Sequence, residues 1–197
     1  EITYGDWSSD VCSSDLVVSP ELAPEGCMAG KIVIQTDRLL LREFDESDAA
    51  AYYTLGSDPA VTRFTGTGML TSLEHALQVL RTNPLTDYKQ HGFGRWACVL
   101  QETGKVVGFA GLKRLDDLGE VDIAFWLLPA CWGTGLATEA ARAVLQYGFE
   151  HLLLERIIGL VDPQNAASIR VLEKLGMVRE GFIIYHGEET LKYILGR

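Results

Sequence analysis

Several hallmarks of large protein classes are missing from this chain. No apolar run approaches the ~18 residues that a membrane-spanning helix needs, so no integral membrane protein is expected. Residues 28–197 contain no Pro/Gly/Ser linker, low-complexity tract or internal repeat, which predicts one domain there. Bases are in deficit, 17 against 27 acids, which argues against a nucleic-acid surface carried by bulk charge. Cysteines number only four: Cys12, Cys27, Cys98 and Cys131. With Cys12 set aside among residues 1–16, which are read below as an artefact, Cys27, Cys98 and Cys131 show neither metal-ligand spacing nor an even disulfide framework, so the expectation is a reducing cytoplasm and no bound metal. Apolar residues, by contrast, are abundant. At 47% of 197 residues they exclude disorder as the dominant state and suffice for a sizeable core.

The acidity is uneven. Residues 1–27 hold six acids and no Lys or Arg, so the remainder carries 21 acids against 17 bases. Asp6 to Leu16 reads Asp-Trp-Ser-Ser-Asp-Val-Cys-Ser-Ser-Asp-Leu, without helical or strand periodicity. All eleven residues match a one-frame translation of a common sequencing-library adapter. Residues 1–16 are therefore expected to be an artefact, residues 1–27 a non-native or disordered leader, and Met28 the start. No basic segment followed by an apolar one is present, so a signal peptide is not expected.

From Met28 onward the pattern alternates between short strands and helices. Leu39–Phe44 reads as a strand ended by Asp45, and Asp45–Gly56 as a capped helix. Leu73, Ala76, Leu77 and Leu80 recur at helical spacing within Ser72–Arg81, which Asn83-Pro84 should stop. Arg95–Leu100, Lys105–Leu112 and Val121–Leu128 read as strands joined by turn chemistry, hence an antiparallel meander. A helix over Thr138–Glu150, a strand over Arg156–Val161, a helix over Asn165–Leu175 and strands over Met177–Gly181 and Thr190–Leu195 follow. This alternation calls for some parallel pairing, so the fold class is α/β or α+β with a mixed sheet.

The most informative segment is Trp132-Gly133-Thr134-Gly135-Leu136-Ala137-Thr138-Glu139-Ala140. It lies between a strand and an Ala-rich helix, where glycines lack the Cβ atoms that would block a phosphate approaching the helix N-terminus. A plain tight turn would use the same residues. A Walker loop is excluded because no Gly-Lys-Ser/Thr follows, and G-x-G-x-x-G is excluded because position 138 is Thr. The segment resembles the pyrophosphate loop of the GNAT N-acetyltransferases, Q/R-x-x-G-x-G/A, with Gly135 and Ala137 at its last two positions. Trp132 stands where Gln or Arg is usual, a departure shared by the branch similar to ribosomal-protein N-terminal acetyltransferases. Thr36–Arg42, Val107–Gly111 and Asp122–Leu127 resemble other motifs of that branch, so the resemblance covers about 160 residues. It implies a central, mostly antiparallel sheet of six to seven strands with strands four and five splayed, flanked by about four helices. It also implies acetyl-CoA as co-substrate, held by Trp126, Leu127 and Leu128 and by the loop residues Trp132, Gly133, Thr134, Gly135, Leu136, Ala137 and Thr138.

Asn165 to Met177 carries a second resemblance. By spacing alone Asn165 is a helix cap, Ile169, Leu172 and Leu175 form a core stripe, and Gly176 closes the helix. The family's N-x-x-S-x-x-x-L-x-K-x-G-F/M helix implies more. Asn165 would then bond the pantetheine arm, and Ser168 would protonate the departing thiolate. For the general base, Asp122 shares a strand face with Ala124 and Trp126, at a position where related enzymes often carry a Glu. A solvated edge aspartate fits that position equally. Glu120 reads as an exposed turn residue, His75 and His151 as helix-surface residues, His91 and His186 as loop residues, and Cys131 as a packing residue.

The resemblance implies transfer of acetyl from acetyl-CoA to a primary amine by direct attack in a ternary complex, the thioester polarised by a strand amide near Trp126–Leu128. The acceptor would be a protein N-terminal α-amine or a small-molecule amine. At pH 7 a peptide α-amine of pKa ~7.8 is roughly one-tenth neutral, whereas a lysine amine rarely is. A weak base such as Asp122 therefore suits the former. A non-catalytic acyl-CoA-binding module of the same fold is the alternative, and a nucleotide-binding loop a third reading. Either a monomer or a homodimer is compatible with the sequence.

Overall fold

A computed structural model describes residues 30–66 and 68–197. The expected leader and Met28 lie outside the described residues. In chain order the elements are β1 (Ile32–Gln35), β2 (Leu39–Arg42), a 3₁₀ turn at Glu46–Asp48, α1 (Ala49–Gly56), α2 (Pro59–Thr62), α3 (Leu73–Thr82), α4 (Pro84–His91), β3 (Arg95–Leu100), β4 (Lys105–Leu115) and β5 (Glu120–Leu127). A second 3₁₀ turn at Pro129–Cys131 leads to α5 (Leu136–Glu150), β6 (Arg156–Val161), α6 (Ala166–Lys174), β7 (Val178–Tyr185) and β8 (Glu188–Gly196).

All eight strands join one sheet, ordered β1-β2-β3-β4-β5-β6-β8-β7. Every neighbouring pair is antiparallel except β5 and β6. These two are parallel and register at one position, Asp122 opposite Ile158. The expected mixed, mostly antiparallel sheet is present, with one strand more than expected. The extra strand is Ile32–Gln35, which doubles back on β2 through Thr36–Arg38. It shifts the count, so the splayed pair is fifth and sixth in the chain.

Strand alternation distributes the core. Val121, Ile123, Phe125 and Leu127 of β5 face α5, whose buried stripe is Leu136, Ala140, Ala141, Ala143, Val144 and Leu145. Ala124 and Trp126 face the other side, where Phe44, Tyr52, Leu55, Leu80, Ala97 and Phe109 cluster beneath α1 and α3. A sheet covered on both faces accounts for the long apolar runs of its central strands.

Six α-helices form among the described residues, two beyond the expected four or so, and both begin with proline. Pro84, read as a stop for α3, occupies the first position of α4, where its missing N–H costs nothing. His91, expected in a loop, ends that helix. Pro59 opens α2 behind Asp58, whose side chain accepts from Ala60 N–H at 2.8 Å. The helix expected over Asp45–Gly56 divides in two. A capping box between Asp45 and Asp48 closes the 3₁₀ turn, and α1 starts only at Ala49.

Candidate active site

The site begins where the parallel ladder opens. In a continued ladder Leu160 N–H would bond a β5 carbonyl, but it donates to Asp122 Oδ1 at 2.9 Å. Beyond this point β5 and β6 diverge. Leu128 N–H donates to Val107 O of the adjoining strand β4 at 2.9 Å, which fixes the alternation of the antiparallel β4–β5 pair. Leu128, Trp126 and Ala124 turn their backbone toward β4, whereas Leu127 and Phe125 turn theirs toward the gap. The Leu127 carbonyl confirms this sense, because Trp132 Nε1 reaches it from the far side at 2.7 Å. Of the three residues expected to supply an amide, Leu128 is therefore already committed to β4. Leu127 aims its N–H into the cleft.

Asp122 is not the solvated edge residue its strand position also allowed. Its carboxyl keeps a small exposed surface, but dense surrounding protein pushes its pKa up to about 7, against opposing pulls from the Leu160 N–H, Arg95 and Lys113. A carboxyl poised near neutrality is suited to accept a proton from an amine. Glu120, expected to be an exposed turn residue, sits in β5 with 16% of its side chain exposed and pairs with Arg156 and with Lys192 Nζ at 3.4 Å. These contacts pin β5 to β6 and β8 at the closed end of the gap, and salt-bridging to Arg156 lowers the Glu120 pKa. Its role is to join strands.

The glycine loop lies at the other end of the gap. Gly133 and Gly135 have φ of 75° and 86°, left-handed values that a β-branched residue resists. Gly135 is the N-cap of α5 and supplies no side chain to its first-turn N–H groups, those of Leu136, Ala137 and Thr138. These donors and the dipole of a fifteen-residue helix are arranged to receive an anion. Trp132, half exposed, ties the loop to the end of β5 through its indole N–H. That bond gives a physical reason for Trp where Gln or Arg is usual. Thr134 Oγ1 donates to Cys131 O at 2.7 Å, and Cys131 is partly buried with its thiol pKa raised by burial.

Motif reading missed the brace on this loop. Glu139, in the first turns of α5, accepts from Thr36 Oγ1 at 2.6 Å, Arg38 N–H at 3.0 Å and Arg38 Nε at 2.6 Å. Arg38 Nη1 in turn donates to Thr134 O at 3.0 Å. The β1–β2 turn thus grips both loop and helix, and offsets the negative charge of Glu139 beside an anion site. Nothing in the spacing of residues a hundred positions apart announces this contact.

Across the gap, Asn165 caps α6, its Oδ1 accepting from Ser168 N–H at 3.1 Å. The cap expected from the sequence is real, and the Asn165 amide NH₂ bonds to none of the described residues. Ser168 Oγ is partly exposed and bonds to none of the described residues. His75 and His151 lie in α3 and at the end of α5, and His186 in the β7–β8 turn.

A splayed parallel pair beside a glycine-entered helix is an arrangement suited to an anionic substrate, and comparison with known proteins identifies the class as an acyltransferase. The acetyltransferase (GNAT) domain family matches residues 38–178. The chain is 32% identical over 152 residues, 77% of this chain and 85% of the relative, to the uncharacterized N-acetyltransferase YoaA of Bacillus subtilis (strain 168). An acetyltransferase structure from Agrobacterium tumefaciens str. C58 superposes with TM-score 0.73 at 25% identity, covering 89% of this chain and all of that one. RimL, a ribosomal L7/L12 alpha-N-protein acetyltransferase in complex with coenzyme A, shares the fold with TM-score 0.72 at 18% identity, over 84% and 98% of the two chains. The chain belongs to the GNAT acetyltransferase family.

Proposed function

We propose that this enzyme transfers acetyl from acetyl-CoA to a primary amine by direct attack, with both substrates bound together. The observation that carries this reading is the opening of the β5–β6 ladder at Asp122, which places a near-neutral carboxyl and the inward-facing Leu127 amide beside one cleft. Residues 133–138 fit a pyrophosphate: two left-handed glycines, unfilled helix-terminal donors and no Cβ in the approach. Trp132 holds that loop against the strand end, so the anion site and the cleft keep a fixed separation.

In the transfer, Leu127 N–H stabilises the oxyanion that develops on the thioester carbonyl. Asp122 accepts the amine proton through intervening water as the new C–N bond forms, since it lies five residues along β5 from Leu127. Ser168 Oγ, partly exposed, relays a proton to the sulfur as the C–S bond breaks, taking its replacement from solvent, and the Asn165 amide bonds the pantetheine arm. Juxtaposition of the two substrates supplies several kcal/mol of the barrier reduction. A single carboxyl near pKa 7 is a weak base for a lysine-like ammonium, so the acceptor is an α-amine or another amine less basic than lysine.

Calorimetric titration with acetyl-CoA, paired with a thiol-release assay over a panel of primary amines, tests the reading. Binding with amine-dependent release is expected. Binding without release for any amine would identify a non-catalytic acyl-CoA module, and binding of ATP or NAD in its place would identify a nucleotide site.

A further inference from the structure

On the sheet face opposite α5, four charged side chains surround the gap without neutralising one another. Register puts Lys113 of β4 directly opposite Asp122 of β5, and Arg95 of β3 opposite Gly111, one diagonal step from Lys113. Directly opposed residues lie about 5 Å apart and diagonal ones about 7–8 Å. Alternation places all three on the side shared by Ala97, Phe109 and Trp126. Asp87 joins them from α4, which is docked on the start of β3 by Tyr88: its hydroxyl donates to Arg95 O and accepts from Phe44 N–H at 3.2 Å.

Two cations and two carboxylates in such proximity would ordinarily close into ion pairs. Here Arg95 Nε and Asp87 Oδ2 are both buried and find no hydrogen-bond partner among the described residues. No ion pair joins Arg95, Lys113, Asp87 or Asp122 among the described residues, and the guanidinium of Arg95 rests 5.6 Å from the centre of the Phe109 ring. Burial and the charge of Arg95 hold the Lys113 pKa below its ordinary value. Buried donors and acceptors left unfilled are costly to the fold, so the cluster is built to be completed by something else.

We infer that the acceptor is a zwitterion, a primary amine that also carries a carboxylate close by, as in a free amino acid. Its carboxylate would dock on Arg95 and Lys113 while its amino group meets Asp87 and Asp122. A polyamine would bring a second ammonium against two cations, and a neutral amine would leave Arg95 unfilled. This inference rests on the transferase reading proposed above and narrows its acceptor.

The test compares free L-amino acids with their carboxamides and with spermidine, using thiol release by the full chain at saturating acetyl-CoA. The carboxamide has the less basic, more reactive amine, so preference for the acid runs against intrinsic chemistry. We expect kcat/KM at least tenfold higher for the best amino acid than for its carboxamide. Arg95→Gln should erase that preference by raising KM for the acid more than for the carboxamide. Its acetyl-CoA affinity should stay unchanged, which also shows that the variant is folded. If Arg95→Gln proves unstable, Lys113→Gln must show the same loss. Equal or better use of carboxamides or spermidine would overturn the inference and leave the transferase reading intact. Acetyl-CoA binding without release from any amine would overturn both.

Discussion

Asp122 carries the sharpest prediction at the scale of single residues. Its carboxyl has a folded pKa of about 7 because of burial, against an ordinary value near 3.8. Between those values the native state keeps a proton that the unfolded chain has lost. Stability therefore falls as pH rises through that window and stays reduced above it. The reacting form of the base is the deprotonated one, so kcat/KM should rise through pH ~7 and then level. Asp122→Asn keeps an oxygen for Leu160 N–H but cannot ionise. It should raise Tm at pH 8 by a few degrees, lower turnover at least ~100-fold and abolish the inflection near pH 7. A parental pH profile without that inflection would remove Asp122 from the mechanism. Ser168 offers a similarly clean test, because the α6 cap uses its backbone N–H and not its hydroxyl. Ser168→Ala should leave Tm and acetyl-CoA affinity unchanged while lowering kcat, and unchanged kcat would show that the thiolate needs no donor there.

The loop entering α5 is where one element decides substrate binding. Gly135 has room for a side chain, since a Cβ would meet only Arg38 Nη2, at 3.5 Å. The obstacle to substitution is its φ of 86°, which valine adopts at a cost of about 1–3 kcal/mol. Relief of that strain would swing the loop off the line of the helix-terminal donors. Gly135→Val should therefore weaken acetyl-CoA at least tenfold, about 1.4 kcal/mol, with the circular dichroism spectrum preserved. Affinity equal to the parent in a folded variant would reduce the loop to a turn. The brace of Thr36 and Arg38 on Glu139 explains how so exposed a loop is held in register with the sheet.

At the scale of the whole molecule, a buried ion pair among the described residues ties β2 to the turn that launches α1. Arg42, at the end of β2, meets Asp48 with Nη1–Oδ2 and Nη2–Oδ1 distances of 2.7 Å, and both side chains are 7% exposed. Asp48 also accepts from Asp45 N–H at 3.0 Å, so it fixes the turn that launches α1. Hydrogen bonding to Asp48 raises the Arg42 pKa. Asp48→Ala strands a buried guanidinium and should cost about 3–5 kcal/mol, read as a fall in Tm of roughly 10 °C. A Tm within two degrees of the parent would mean that water reaches the pair. Replacing both residues by Leu should recover much of the loss, since the desolvation penalty goes with the charges.

The sequence by itself determined whatever depends on neighbours along the chain. Arg95–Leu100 and Arg156–Val161 were legible to the residue because β-branched and apolar runs end at turn chemistry, and Asn165 announced itself as a cap because its partner lies three positions away. The loop from Trp132 to Thr138 was legible because its glycines and its helix are contiguous. Proline misled at Asn83-Pro84, where the same residue that ends one helix can begin the next. Tertiary structure alone decided the rest. Whether Asp122 is solvated or buried depends on β6, which arrives after an intervening helix and departs again at Leu160. Which β5 amide faces the cleft depends on pairing with β4, and a one-residue slip would exchange Leu127 for Leu128. The brace of Glu139 and the unpaired charges around Arg95 join strands and helices far apart in the chain. Periodicity reports the face on which a residue lies, but burial and charge pairing are set by what packs against that face.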